Sequence, residues 1–256
     1  MLEAAIARIL AQVPDDALVL DLGGGSAPFN RADWVLDLLA FEERGADGHH
    51  GPVWERFSAK SWLQRDACSR ERWPFPDGHF DFAVCVATLE ELRDPIGVCA
   101  ELSRVARGGY VEFATIEGSL LEGEEGGWLG RDEQRWLCEL VGGELTFTDK
   151  APSIHADGRL KVPARWRDRM EPEDHARGLF WEGNLPARER ILIGEERAAA
   201  RAELRTRLRD RFEASVGEVR ARQARDVAQM GLDLAKGPGR QAAGRVFDEI
   251  LKRRPR

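Results

Sequence analysis

The segment Ala17-Leu18-Val19-Leu20-Asp21-Leu22-Gly23-Gly24-Gly25-Ser26 constrains the fold more than any other part of the chain. A short apolar run ends in an acidic residue, and a glycine cluster follows at once. The run reads as a buried parallel strand, and the glycines as a tight turn at its carboxyl end. Glycine there lets the backbone approach a ligand closely, because no side chain intervenes. In open α/β sheets, ligands sit outside the carboxyl ends of the strands. The segment therefore predicts a nucleotide-like ligand at a strand end.

The pattern repeats through the first half. Leu2, Ile6, Ile9, Leu10 and Val13 recur at helical spacing and predict a leading helix that ends before Pro14. Strands are expected at 17–22, 34–37, 62–67, 80–87 and 110–114. The first two lie so close that any crossover helix between them is very short. Residues 41–60, rich in Gly, His and charge, read as a loop. Pro95 to Val105 carries Ile96, Cys99, Leu102 and Val105 on one face, so it reads as a helix, with Gly108-Gly109 as its stop. Alternating strands and helices predict an α/β fold: a Rossmann-like, doubly wound, mostly parallel sheet with helices on both faces.

Later residues are less regular. Glu144–Phe147 and Arg159–Val162 are expected as late strands. Leu204, Leu208, Phe212, Val216 and Val219 mark a long helix, Gly237-Pro238-Gly239 breaks the pattern, and a last short helix holds Val246, Phe247, Ile250 and Leu251. The expected division is a ligand-binding domain over 1–185, in which 116–185 caps the substrate site, and a helical C-terminal extension over 186–256.

Charge and cysteine usage remove several function classes. The net charge of -7 gives no reason to expect nucleic-acid binding. The charge is uneven: from Ala187 onward there are 18 basic and 11 acidic residues. Alternating signs of this kind read as a solvated helix face, and the Leu204 to Val219 stripe is a candidate homodimer contact. The four cysteines are widely spaced with no Cys-x-x-Cys pair, so no zinc knuckle or redox pair is expected. The N-terminus lacks a charged-then-apolar signal, and no apolar run is long enough to span a bilayer. The expectation is a reduced, cytoplasmic protein with a small-molecule substrate and no membrane partner.

The ligand class follows from acidic residues at three successive strand ends. Asp37 ends the second strand, where a carboxylate can accept both ribose hydroxyls. Asp66-Ala67 ends the third, where it can meet an adenine edge. Asp21 and the glycine backbone can hold an ammonium and a carboxylate. Together they fit a nucleoside with a charged amino-acid tail. A dinucleotide fingerprint instead wants Gly-x-Gly-x-x-Gly opening a helix, and Pro28 stands against such a helix. No Gly-x-x-x-x-Gly-Lys-Ser/Thr follows, which excludes a P-loop.

These residues resemble a class I S-adenosylmethionine-dependent methyltransferase with a methyltransferase-11-type domain. The resemblance is carried by Val19 to Gly25, Asp37, Asp66-Ala67, Trp73-Pro74-Phe75-Pro76-Asp77-Gly78-His79-Phe80-Asp81-Phe82, Leu89 to Pro95 and Glu101 to Val105. The short connection Gly25 to Asp33 and the strand Gly109-Tyr110-Val111-Glu112 are similar to one subgroup with a short motif I. The resemblance implies S-adenosylmethionine as cofactor and S-adenosylhomocysteine as product. It implies that Gly23 and Gly25 line the methionine end beside Asp21, that Asp37 holds the ribose, that Asp66 and Ala67 meet the adenine, and that Thr88 and Leu89 face the sulfonium end. Gly24 and Leu38 complete the expected cofactor set.

The chain departs from the family at one place. The family often carries His-x-x-Glu-His after the fourth strand, where this chain has Ala87-Thr88-Leu89-Glu90-Glu91. Both histidines are missing. Methyl transfer from a sulfonium needs mainly alignment and a dry site, but a hydroxyl acceptor gains from a general base. The candidates are His155, Glu90 and Glu91, with His50 and His175 behind them. His49-His50 lacks a spaced carboxylate partner, so no metal is expected. Trp128, Trp136, Trp166 and Trp181 fall in the capping region and serve either an aromatic pocket or the core. The reading is a methyltransferase acting on a hydroxyl, less readily an amine, of a small molecule or sugar-containing metabolite. A catalytically silent S-adenosylmethionine-binding protein and an NAD-type Rossmann oxidoreductase remain as alternatives.

Overall fold

The computed structural model describes residues 1–123 and 128–212. The expected features at Val216, Val219, Gly237-Pro238-Gly239 and Val246 to Leu251 lie outside the described residues, so of the candidate dimer stripe only Leu204, Leu208 and Phe212 are described.

Helix α1 (Glu3–Gln12) leads into strand β1 (Val19–Leu22), and β2 (Trp34–Asp37), β3 (Trp62–Gln64) and β4 (Phe82–Val86) follow. Then come α2 (Pro95–Val105), β5 (Gly108–Ala114) and α3 (Ile116–Ser119). The later elements are β6 (Trp136–Val141), β7 (Glu144–Asp149), α4 (Pro152–His155), α5 (Pro172–His175), β8 (Ala176–Glu182), β9 (Ala187–Arg190) and α6 (Glu195–Phe212). The main sheet has the order β3-β2-β1-β4-β5-β8. Its first five strands are parallel, and β8 joins antiparallel to β5, from Gly108↔Glu182 to Ala114↔Ala176. All four residues of β1 are buried, as a strand covered on both faces requires.

The two faces are covered by different helices. Ala5 and Ile9 of α1 pack with Val19, Val35, Val84 and Tyr110. Val98, Cys99, Leu102 and Val105 of α2 pack with Leu20, Leu22, Leu36, Ala83, Cys85 and Val111. Successive strand residues point to opposite faces, so each strand feeds both layers. Asp94 caps α2 by accepting from the Gly97 N–H at 2.9 Å, and Pro95 occupies its first turn, where a missing N–H costs nothing. Arg104 then ties α2 to the Trp73-to-Asp77 turn, donating to Phe75 O at 2.7 Å and Asp77 Oδ1 at 3.0 Å.

Two expectations need correction. Gly108-Gly109 is the start of β5, because α2 closes at Ala106, whose N–H donates to Leu102 O. Arg159–Val162 is not a strand: Gly158–Leu160 forms a 3₁₀ turn, and Val162 makes one isolated bridge, to Leu121. The expected late strand Glu144–Phe147 is present as β7; it is half of a hairpin, β6–β7, whose two-residue loop Gly142-Gly143 has positive φ at both positions, as a tight hairpin demands. Beyond residue 185, β9 pairs in parallel with β7 in a second, three-stranded sheet, and Met1–Arg205 forms one compact unit. The end of α6 from Thr206 belongs to a second unit. Among the described residues, no helix is long and apolar enough to cross a membrane.

Candidate active site

The strand order reverses between β1 and β4, with β2 on one side of β1 and β4 on the other. The crevice at such a switch point is where an α/β sheet binds its ligand. Here it is floored by the turn Gly23–Gly25. Gly23 has φ +73°, and its N–H donates to Leu36 O at 2.9 Å. A Cβ added to Gly23 overlaps the Thr88 side chain, and one added to Gly24 overlaps Asp21 Oδ2. At Gly25 it lies 2.8 Å from Asp37 Oδ1. The turn therefore closes onto three polar side chains, and the space that a Cβ fills at each position is already taken.

Asp21 is only 3% exposed, and its Oδ2 accepts the Phe29 N–H at 2.8 Å. Burial pushes its carboxyl up to about 7, against the pull of the Phe29 bond and with the help of the nearby Asp37 charge. Asp37 accepts the Gly25 N–H on Oδ2 at 2.9 Å and the Leu39 N–H on Oδ1 at 2.6 Å. Each carboxylate oxygen has a second lone-pair direction, so both remain able to accept from a diol. Leu38 beside it is 70% exposed and offers an apolar surface at the crevice edge. Asp66 follows β3; its Oδ1 accepts the Cys68 N–H at 2.9 Å, and Arg93 holds Oδ2 at 2.5 Å. The Arg93 hydrogen bond keeps the Asp66 carboxyl below its ordinary range. Ala67 is half-buried against the core, and its carbonyl accepts from Trp73 Nε1 at 3.1 Å.

At the end of β4, Ala87 adopts φ +49°, which no other non-glycine residue among those described shares. Strain of this kind concentrates at functional sites. It presents Thr88, whose Oγ1 donates to Val86 O at 2.9 Å. Leu89 does not face the crevice as expected: it is fully buried in the core beside Leu22, Leu36 and Cys85, because the chain turns inward after the strained residue. No α-helix opens after the glycine turn. Phe29 bridges His50 instead, and the Gly45 and Asp47 N–H groups donate to the Gly25 and Ser26 carbonyls. A pyrophosphate held by a helix N-terminus, the basis of the NAD alternative, has no counterpart here.

A cavity of about 480 Å³ opens at the carboxyl end of β5, lined among others by Ala114, Gly118, Trp128, Arg131, Arg167 and His175. Of the expected catalytic groups, Glu90 and Glu91 are not among its lining residues, but each contacts one: Glu90 meets Ala114 and Glu91 meets Arg131. Glu90 is 1% exposed; its Oε1 accepts the Ala114 N–H at 3.0 Å, and its Oε2 has no partner. Burial raises its carboxyl above the ordinary range. Glu91 Oε1 lies 3.5 Å from the Arg131 guanidinium, and burial pushes its carboxyl up to about 7 against that cation.

His155 is not brought to the cavity. Its Nδ1 accepts the Leu129 N–H at 3.1 Å and its ring meets Trp128 edge-on, so it supports the wall from behind. His175 does line the cavity, 3.2 Å from Arg167 O. His50 is held by the N-terminal amine at 3.2 Å. Of the four tryptophans in this region, Trp128 lines the cavity, whereas Trp181 is core. Lys150 escaped sequence reasoning, since a lysine at a strand end is unremarkable. Its buried ammonium donates to Leu129 O at 2.6 Å, Gln134 Oε1 at 3.1 Å and Arg131 O at 3.3 Å, fastening the wall that carries Arg131. Burial brings it down to about 8. Among the described residues, no three His, Cys, Asp or Glu side chains gather as a metal site.

A family model described as a methyltransferase domain matches residues 2–175, from α1 to the end of α5. The chain belongs to this methyltransferase-domain family. Its members are class I enzymes that use S-adenosylmethionine, and the acidic strand ends and glycine cradle above suit that cofactor. Solved structures similar to this methyltransferase include the YcgJ protein of Bacillus subtilis, at 18% identity over 44% of this chain and 52% of that one, TM-score 0.32. Another is an S-adenosylmethionine-dependent methyltransferase of Mesorhizobium loti, at 16% identity over 58% and 64%, TM-score 0.33. A third is the arsenic(III) S-adenosylmethionine methyltransferase of Chlamydomonas reinhardtii, at 19% over 43% and 48%, TM-score 0.28. The chain spans about half the length of most of these relatives. No curated protein matches it.

Proposed function

We propose that this methyltransferase moves the methyl group of S-adenosylmethionine to a hydroxyl, and less readily an amine, of a small molecule or sugar-containing metabolite. The observation that carries the reading is Glu91. It stands where the family pattern places its second histidine. Its carboxyl, raised to about 7, titrates where a histidine does. The substitution thus exchanges the side chain and keeps a base poised near neutral pH.

The proposed roles are these. Asp21 and the Gly23, Gly24 and Gly25 backbone hold the methionine end, and Asp37 accepts from the ribose hydroxyls. Leu38, Asp66 and Ala67 border the adenine, with Arg93 held on Asp66 at its edge. Thr88 borders the sulfonium end. When bound, the cofactor supplies an electrophilic methyl group. The Glu91 carboxylate would take the acceptor's hydroxyl proton, and Arg131 beside it offsets the carboxylate charge beforehand. Glu90 positions: its side chain holds Ala114, and its carbonyl accepts the Arg135 and Trp136 N–H groups.

Titration with S-adenosylmethionine and S-adenosylhomocysteine, followed by a panel of hydroxyl and amine acceptors with labelled methyl donor, tests the reading. Micromolar cofactor binding with label transfer to a hydroxyl is expected, and Glu91→Gln lowers the rate about 100-fold or more without weakening the cofactor. Binding with no transfer to any acceptor favours the silent alternative. Absence of cofactor binding overturns the proposal.

A further inference from the structure

The segments that follow β3 and β4 meet across the crevice. Strands β2 and β1 lie between β3 and β4 in the sheet, which sets the two strand ends about 14 Å apart. Arg93, after β4, nevertheless reaches Asp66, after β3. Its Nη2 donates to Asp66 Oδ2 at 2.5 Å and to the Cys68 carbonyl at 3.2 Å. The backbone on either side of Arg93 is pinned: Leu92 O accepts from Trp136 Nε1 at 2.7 Å, and Asp94 caps α2. The Arg93 and Asp66 side chains are 59% and 40% exposed, and an ion pair so exposed adds little stability. Its place in the fold is the more telling property.

Asp66 lies beside Asp37. Gln64 pairs with Asp37 in the parallel β2–β3 ladder, and the Arg65 N–H donates to Asp37 O at 2.6 Å. With the ribose on Asp37, as proposed above and on which this inference rests, the attached base extends along the same end of the sheet toward Asp66 and Arg93.

Those two side chains offer complementary halves of one hydrogen-bonding pattern. Asp66 Oδ1 accepts the Cys68 N–H, and the Arg93 bond favours the ionised carboxyl, so Oδ2 offers a ligand only a lone pair. Arg93 commits Nη2 to its two partners, and its Nη1 and Nε make no hydrogen bond among the described residues. Arg65, the other guanidinium near Asp66, is committed to the 69–72 turn, with Nη2 donating to Glu71 O at 3.0 Å and Arg72 O at 3.3 Å. One edge of adenine carries the 6-amino donor next to the N1 acceptor, whereas a 6-oxopurine carries the reverse. We propose that Arg93 is a specificity-determining residue of the cofactor site, donating to adenine N1 while Asp66 accepts from the 6-amino group.

Calorimetric titration of the full chain with S-adenosylhomocysteine, its 1-deaza analogue and S-inosylhomocysteine tests this, in wild type and in Arg93→Met, with a thermal melt to verify folding. Wild type should bind the 1-deaza analogue about tenfold more weakly than S-adenosylhomocysteine. S-inosylhomocysteine should bind more weakly still, because its 6-oxo group faces the Asp66 acceptor and its N1–H the Arg93 donors. In Arg93→Met, S-adenosylhomocysteine should weaken about tenfold and the 1-deaza analogue scarcely, so the gap between them closes. Mere slackening of the loop would weaken both ligands alike and keep the gap. A gap of wild-type size in Arg93→Met, or no gap in wild type, overturns the assignment while the cofactor reading stands. Failure of wild type to bind S-adenosylhomocysteine overturns the cofactor reading, and this inference falls with it.

Discussion

Asp37→Ala is the sharpest perturbation of the cofactor site, because one carboxylate does two things. It holds the Gly25 N–H at 2.9 Å and the Leu39 N–H at 2.6 Å, and in the proposed role it also receives the ribose diol. A hydrogen bond to a charged group is worth about 1.5–3 kcal/mol net, so the two backbone bonds together contribute about 3 kcal/mol at the low end. The low end applies because the crevice side of Asp37 is within reach of water, which replaces part of what is lost. For a chain of this size, 1 kcal/mol shifts the melting temperature by about 2–4 °C, so a fall of about 6–12 °C is expected. Loss of the ribose acceptors removes a similar amount from binding, about 100-fold or more in Kd. Calorimetric titration with S-adenosylhomocysteine, run well below the variant's melting temperature, reads the second effect separately from the first. Asp37→Asn keeps one acceptor and sets an amide donor against the other N–H, so it should fall between wild type and Asp37→Ala in both measurements. A variant that melts as wild type and binds within twofold of it would refute the account of the turn and of the ribose together.

Three further outcomes follow from the same geometry. Gly23→Ala places a Cβ into the Thr88 side chain at a φ that disfavours alanine, so a loss of about 2 kcal/mol or more and a severe loss of cofactor binding are expected by thermal melt and calorimetry. Asp21 has its carboxyl raised in the fold, so the proton it keeps stabilises the folded state at pH 4 and below, and this stabilisation fades as pH rises through about 7. Asp21→Asn should flatten that part of the stability–pH curve by up to roughly 4 kcal/mol, read by denaturant melts between pH 4 and 8. Lys150→Met leaves three acceptors without their donor and should cost about 2–4 kcal/mol, with faster amide hydrogen exchange over Leu129 to Gln134 and unchanged cofactor affinity.

What was legible in the sequence is what local chemistry dictates. The apolar run 17–22 with its glycine stop has one good solution, a buried strand and a tight turn, and β1 and Gly23–Gly25 follow it. The Asp94-Pro95 start and the face of Ile96, Cys99, Leu102 and Val105 specify α2 to the residue. Asp37 and Asp66 are strand-end acids for the same local reason. Gly142-Gly143 was a readable hairpin signal and reveals β6 once it is noticed. Tertiary structure alone decided the rest. The β5 cavity joins Ala114, Arg131 and His175 because β8 returns antiparallel to β5 and sets Ala176 against Ala114, a pairing between distant segments that no local periodicity encodes. It turned Leu89 into the core, left His155 behind the wall and gave that wall a buried ammonium. The poise of Glu91 is also a product of packing: a carboxyl titrates near 7 only because folding strips water from it faster than Arg131 compensates.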